Sequence, residues 1–382
     1  MPPPIHANRG RQAVNILLIE PYFGGSHAAW ARGLREHSEH RIELLSLPDR
    51  NWKWRMHGAA LTLAREFLAG DFRPDLILAS DMLDLTTFLA LTRRATASVP
   101  AVSYFHENQL AYPWSPQDRD AARGRDQHYG FINLASALAA DGVWFNSGHN
   151  RDTFLAGCRD LLQGMRDHRE LERVDEVARR AEVMPLGLDL ARFDRHRPKA
   201  SREGPPLILW NHRWEHDKNP EGFFRALFEL ADQGLPFEVA ILGQNSPTYP
   251  AIYDQARERL GERVVHFGYA EDFATYAGWL WAADFLPVTS HHDFFGISVA
   301  EAAYCRTLPL LPCGLAYPEL IPAQWQAACF YDPMDELVPT LAHWLQAGSP
   351  DTGSLVRALA AFDWTIMAPH YDRKLAAIAG AV

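Results

Sequence analysis

Arg213 and Lys218 stand five residues apart in the stretch HRWEHDKNP, one residue after the apolar run LILW. Two fixed cations at the end of a strand suit a doubly charged anion, because the intervening WEHD is long enough to fold both toward one point. The same loop carries Glu215 and Asp217, which offer those cations partners closer by. A second stretch, TSHHDFFGISVAEAA, weighs toward the anion. If a helix begins near Gly296, the backbone at Phe295, Gly296 and Ile297 presents the free N–H groups that attract phosphate. Asp293 lies just before that helix. Glu301, eight residues later, returns to the ligand side at about 100° per residue. A carboxylate on a helix continuing as AEAA is costly to bury unless hydroxyls or cations pair with it.

Strand ends in the first half carry polar clusters of their own. IEPYFGGSHAAW puts Gly24 and Gly25 where backbone can approach a ligand closely, with Ser26 to cap a helix and His27 on its first turn. A plain tight turn and a structural histidine would look the same. VSYFHENQLAYPW ends in His106, Glu107, Asn108 and Gln109, more polar groups than folding alone needs. His106 suits contact with a hydroxyl-rich reacting group, and Glu107 suits a base or an anchor. The pattern is not HExxH, which argues against a metalloprotease. RNWKWRMH interleaves Arg50, Lys53 and Arg55 with Trp52 and Trp54, a composition suited to RNA, although tryptophans at a strand–helix junction also serve as core. Arg159, Arg166, Arg169, Arg173, Arg179 and Arg180 fall in a helical region expected over about 157–182; nearly as many acids accompany them, as on an ordinary solvated face.

These residues need elements that hold them. Short apolar runs (VNILLIE, DLILAS, AVSYFH, GVWFNS, then LILWNH, FEVAILG, ADFLPVTS, TLPLLP) alternate with amphipathic segments. Such alternation predicts an α/β protein with parallel sheets covered on both faces. It restarts after the Pro-, Gly- and charge-rich segment 185–206, which divides the chain into two Rossmann-like doubly wound domains, 1–190 and 191–365. Residues 366–382 are expected to form a terminal helix, kinked at Pro369, that packs back on the body.

Composition narrows the class. The 382 residues are 47% hydrophobic and 22% charged, with no run of about 20 apolar residues to span a membrane. The N-terminus has no apolar segment before Val14 and does not read as a signal peptide. Cys158, Cys305, Cys313 and Cys329 form no CxxC pair and no zinc spacing, so a reduced cytoplasmic protein without metal is expected. The net charge of −10 argues against a general nucleic-acid coat. Cations against acids number 22 to 24 in residues 1–190 and 15 to 23 in 191–382, so the near-neutral first half can still present a basic patch.

Together these motifs resemble the retaining GT-B glycosyltransferases of family 4. Asp293 to Glu301 is similar to the family's E-x7-E element with Asp in the first place, Arg213 and Lys218 to its diphosphate pair, and LGLDLARF, residues 186–193, to its interdomain element. The first half, through LPDRNWKWRMHGAAL, SDMLDLTTFLAL and FNSGHNRDTFL, resembles the subgroup that mannosylates queuosine in tRNA. The resemblance implies a GT-B fold with two domains facing across a cleft, a nucleotide-sugar donor of the GDP-mannose type, a tRNA carrying queuosine as acceptor, and no metal or other cofactor. It assigns Arg213 and Lys218 to the leaving diphosphate, Phe295, Gly296 and Ile297 to helix-terminus donors, Glu301 to the ribose, Asp293 to the sugar side, and His106 to the sugar or attacking hydroxyl. Gly24 and Gly25 would close on the donor; His27, Trp52, Lys53, Trp54, Arg55, Glu107 and Asn108 would serve the acceptor. Two other readings stay open: the same chemistry on a small molecule, lipid or glycan, which the acidic total favours, and an idle nucleotide- or RNA-binding relative.

Overall fold

The computed structural model describes residues 13–113, 127–200, 202–243, 249–332 and 337–380. Strands such as LILAS and LILWN are buried at every position, as expected where helices cover both faces of a parallel sheet. Strands β1 (Asn15–Phe23), β2 (Arg41–Pro48), β3 (Leu76–Ser80), β4 (Ala101–Phe105), β5 (Gly142–Phe145) and β6 (Ala181–Val183) form one parallel sheet, ordered β2-β1-β3-β4-β5-β6. A second parallel sheet contains β7 (Leu207–Asn211), β8 (Glu238–Leu242), β9 (Val264–Gly268), β10 (Phe285–Pro287), β11 (Leu308–Pro312) and β12 (Phe330–Tyr331), ordered β12-β11-β10-β7-β8-β9. Strand order reverses between β1 and β3 in the first sheet and between β7 and β10 in the second. Ligands of open sheets bind outside the carboxyl ends of strands at such reversals.

Side-chain alternation builds two cores around the first sheet. Ile16, Leu18, Leu76, Leu78, Tyr104 and Trp144 join the apolar layer that continues into the second unit, and Leu17, Ile19, Ile77, Ala79 and Phe105 face a separate helical layer. The chain returns to the first unit at its end. Asp363 caps the helix Trp364–Ile378 through Thr365 N–H and also accepts from the N–H groups of Leu190 and Ala191, each at 3.0 Å. Along that helix Tyr371 Oη accepts from Trp30 Nε1 at 3.2 Å, and Asp372 accepts from Ser38 Oγ at 2.6 Å. The helix runs on through Pro369 and starts at Trp364, ahead of the expected 366.

One expectation is corrected. The region 157–182 is not one helix: Gly148–Gln163 and Leu171–Arg180 are separate helices, and β6 begins at Ala181. Between the two helices His168 and Glu170 take left-handed φ values of 44° and 49°, which a continuing right-handed helix does not accommodate. Among the described residues, no helix is long and apolar enough to cross a membrane.

Candidate active site

A cleft of about 710 Å³ opens between the carboxyl ends of the two sheets. Its second-unit wall begins where β7 ends, at Asn211, His212 and Arg213, beside the strand-order reversal. Lys218 Nζ donates to His292 O at 3.0 Å and pairs with Asp217 at 3.2 Å, so its ammonium is held at the cleft. The Arg213 side chain is 56% exposed, pairs with Glu215 at 3.1 Å, and has the Tyr112 hydroxyl of the first unit within hydrogen-bonding reach. The cations thus line the cleft and at the same time pair with the loop's own acids.

The helix Ile297–Tyr304 points its N-terminus into the same space. Gly296 precedes it with φ +93°, and a Cβ there would meet Leu320 and Tyr317 at 3.2 Å, so the turn requires glycine. Asp293 accepts from Phe295 N–H at 3.1 Å and from the Tyr317 hydroxyl at 3.3 Å. The expected Phe295 donor is therefore already engaged, and Asp293 acts first as an anchor of the turn. The first-turn N–H groups of Ile297 and Ser298, unpaired by helix geometry, remain to meet a ligand. Glu301 lines the cleft and accepts from the Tyr276 hydroxyl; burial pushes its carboxyl up to about 7, against the pull of that bond and of Arg192. Burial, reinforced by Lys218, holds His212 down at about 3 and His292 at about 4, so both face the cleft neutral.

The first-unit wall carries a buried charge pair. Glu20, the one acid in the apolar strand β1, accepts from His27 Nδ1 at 3.1 Å. Burial opposes a charge on His27, but the Glu20 carboxylate outweighs it and raises the imidazole to about 9. His106, whose ring lies 4.2 Å from that of His27, is held well below the usual histidine range by burial and by its charged neighbour. Its Nε2 is buried without a protein partner and lies 4.0 Å from Glu20. Glu20, His27 and His106 bring three ligating atoms within 4.8 Å of one another and are the described residues placed to hold a metal ion. The Glu20–His27 bond already satisfies two of the three with a proton.

Of the residues anticipated from sequence, Gly25, His27, His106, Glu107, Arg213, Lys218, Asp293, Phe295, Gly296, Ile297 and Glu301 line one cleft. Others do not. Gly24 faces the Asp49 side chain, which any Cβ there would strike. Asn108 is fully buried and spends its amide on Asn150 Oδ1 at 2.8 Å and its oxygen on Ala111 N–H at 2.9 Å, so it braces the loop and is not an acceptor contact. Trp52, Lys53, Trp54 and Arg55 stand outside the cleft lining, on the helix Trp52–Ala69. Sequence reading missed Glu20, Tyr112, His212 and Tyr276. An isolated acid in an apolar strand marks Glu20, and adjacency to Arg213 marks His212; nothing local marks Tyr112 or Tyr276.

A family model described as tRNA-queuosine alpha-mannosyltransferase N-terminal matches residues 15–188, and one described as Glycosyl transferases group 1 matches residues 192–347. The chain is 33% identical over 318 residues to the tRNA-queuosine alpha-mannosyltransferase of Drosophila melanogaster, covering 81% of this chain and 82% of that relative. It is 25% identical over 263 residues to a GDP-mannose-dependent alpha-(1-6)-phosphatidylinositol dimannoside mannosyltransferase of Mycobacterium tuberculosis, covering 67% and 61%. Among solved structures, sucrose-phosphate synthase from Thermosynechococcus elongatus shares a TM-score of 0.67 at 15% identity over 97% of this chain and 100% of that one. Anabaena HepE in complex with UDP shares 0.64 at 16% identity over 95% and 100%. These two show the fold that the chains have in common.

Proposed function

The chain is a glycosyltransferase of the tRNA-queuosine alpha-mannosyltransferase family, and we propose that it moves mannose from GDP-mannose to the queuosine nucleoside of a tRNA. The observation that carries this reading is the family match over residues 15–188, the unit that forms the wall facing the Arg213–Lys218 pair. The mannose assignment rests on the names of both relatives and the GDP assignment on that of the mycobacterial one.

The geometry supports the following roles. Arg213 and Lys218 neutralise the diphosphate as the bond from its oxygen to the anomeric carbon breaks, aided by the N–H groups heading the helix Ile297–Tyr304. Glu301, once ionised, accepts from the ribose hydroxyls. Asp293 fixes the turn beside the sugar, and the free Nε2 of His106 meets a hydroxyl of the sugar or of the acceptor. The acceptor oxygen bonds to the anomeric carbon on the face that the diphosphate leaves, and its proton passes to the departing phosphate oxygen. Configuration is thereby retained without a nucleophile from the chain, a resident cofactor or a membrane. A tRNA acceptor sets the reaction in the cytoplasm.

The net charge of −10 favours a second reading, a small-molecule, lipid or glycan acceptor. Incubation with GDP-mannose and other nucleotide sugars, using tRNA with and without queuosine, separates the two. Hexose on a queuosine nucleoside supports the first, and donor turnover without it supports the second.

A further inference from the structure

We infer that a row of four exposed rings on the first unit, Trp54, His57, His128 and Phe131, is a stacking platform for unpaired RNA bases flanking the reacting nucleoside. The inference rests on the tRNA acceptor proposed above and locates where that RNA lies. Trp54 and His57 are three apart on the helix Trp52–Ala69, and His128 and Phe131 are three apart on the helix Gln127–Ala139, so each pair shares a helix face. The two imidazoles join the pairs, with ring centroids 4.6 Å apart and planes 17° from parallel. Trp54 is 60% and Phe131 51% exposed, and both histidines are exposed. Gly58 explains how the indole lies: a Cβ there would meet Trp54 at 2.7 Å, so glycine lets the ring rest on its own helix with its other face open.

Charge selects the occupant. Exposed Arg50 precedes the helix Trp52–Ala69 and exposed Arg65 lies on it, Lys53 Nζ sits 5.6 Å from the centre of the Trp52 ring, and Arg55 Nε donates to Pro48 O at 3.1 Å. Asp84, whose charge acts on His57, is engaged in capping Thr87 N–H at 2.9 Å. Flat rings among cations suit bases on a phosphate backbone. The platform is also continuous with the cleft. Beneath it Met56, Met82, Tyr129 and Ile132 form an apolar cluster against which Trp52 and Tyr22 pack, and the Tyr22 ring stands edge-on to that of His27 in the cleft wall, centroids 6.1 Å apart.

The test uses the full chain and a fluorescent oligoadenylate, against an abasic ribose-phosphate oligomer of equal length. Oligoadenylate is expected to bind more tightly. The double variants W54A/F131A and H57A/H128A should each weaken it by about ten-fold or more without lowering Tm, and G58A should weaken it less. Equal binding of the abasic oligomer, or variants that bind oligoadenylate like wild type, would overturn the platform. So would loss of self-association in these variants with RNA binding intact, which assigns the surface to protein. If queuosine is never hexosylated but the oligoadenylate effect persists, the platform stands and the acceptor reading falls. If the row variants hexosylate queuosine in tRNA at the wild-type rate, the platform falls and the acceptor reading stands.

Discussion

The Tyr276 hydroxyl donates to Glu301 Oε2 at 2.6 Å and itself accepts from Asn211 Nδ2 at 2.9 Å, tying the expected ribose ligand to the end of β7. Burial raises Glu301 to about 7, so near neutrality much of it carries a proton that a ribose diol would displace. Nucleotide binding should therefore release protons below pH 7, and affinity should rise as pH rises through 7. Calorimetry in buffers of differing protonation enthalpy measures both. Glu301→Gln should abolish the proton release and weaken binding by about ten-fold or more, the loss of hydrogen bonds to a charged group.

The same residue makes a stability prediction. Its folded value lies above its unfolded one, so its contribution is present below the ordinary glutamate range and lost as pH rises through 7. Tm of Glu301→Gln should exceed that of wild type at pH 8, and the gap should close toward pH 5. An equal gap at both pH values would show that Glu301 does not titrate as described.

Lys218 is held by His292 O and Asp217 at the cleft, which leaves its charge aimed at an incoming anion. Lys218→Ala should lower kcat by about 100-fold or more if it stabilises the leaving diphosphate. Turnover near the wild-type level would remove it from the site.

Glu20 and His27 form an ion pair in the wall of the cleft. With His27 raised to about 9, the pair stabilises the fold fully below the ordinary histidine range and loses that contribution as pH rises through 9. Thermal melts should show Tm falling from pH 7 to pH 10 in wild type. Glu20→Gln leaves a buried imidazole without its carboxylate, at a cost of about 3–5 kcal/mol, and should flatten that fall. An unchanged profile would place the proton elsewhere.

Glu319 of the second unit accepts from the N–H groups of Gly148 and His149 at 2.6 and 2.7 Å, capping a helix of the first. Glu319→Ala should remove about 0.3–1 kcal/mol of this contact and enlarge the radius of gyration in solution scattering. An unchanged radius would mean that the latch does not set the cleft opening.

The two sheets and the second-unit wall of the cleft were legible in the sequence, because strand ends and helix starts there are local: Arg213, Lys218, Gly296 and Glu301 each sit within a few residues of the turn that aims them. Residues whose roles depend on distant partners were not. Asn108 looks like a ligand until Asn150, 42 positions away, takes its amide. Tyr276 has no signal of its own, since Glu301 lies 25 residues further on. The break at 164–170 hides behind a charged composition that a single helix would share. Trp52 and Trp54, adjacent in one basic stretch, part by face, one against Tyr129 and the other into solvent.

The most direct measurement of the central claim is nucleoside mass spectrometry of tRNA incubated with the protein and GDP-mannose. The account predicts a hexose on queuosine in tRNA from queuosine-replete cells, none in tRNA from cells unable to make queuosine, and strong loss with Lys218→Ala. Absence of a queuosine-dependent hexose with every nucleotide sugar offered would contradict it.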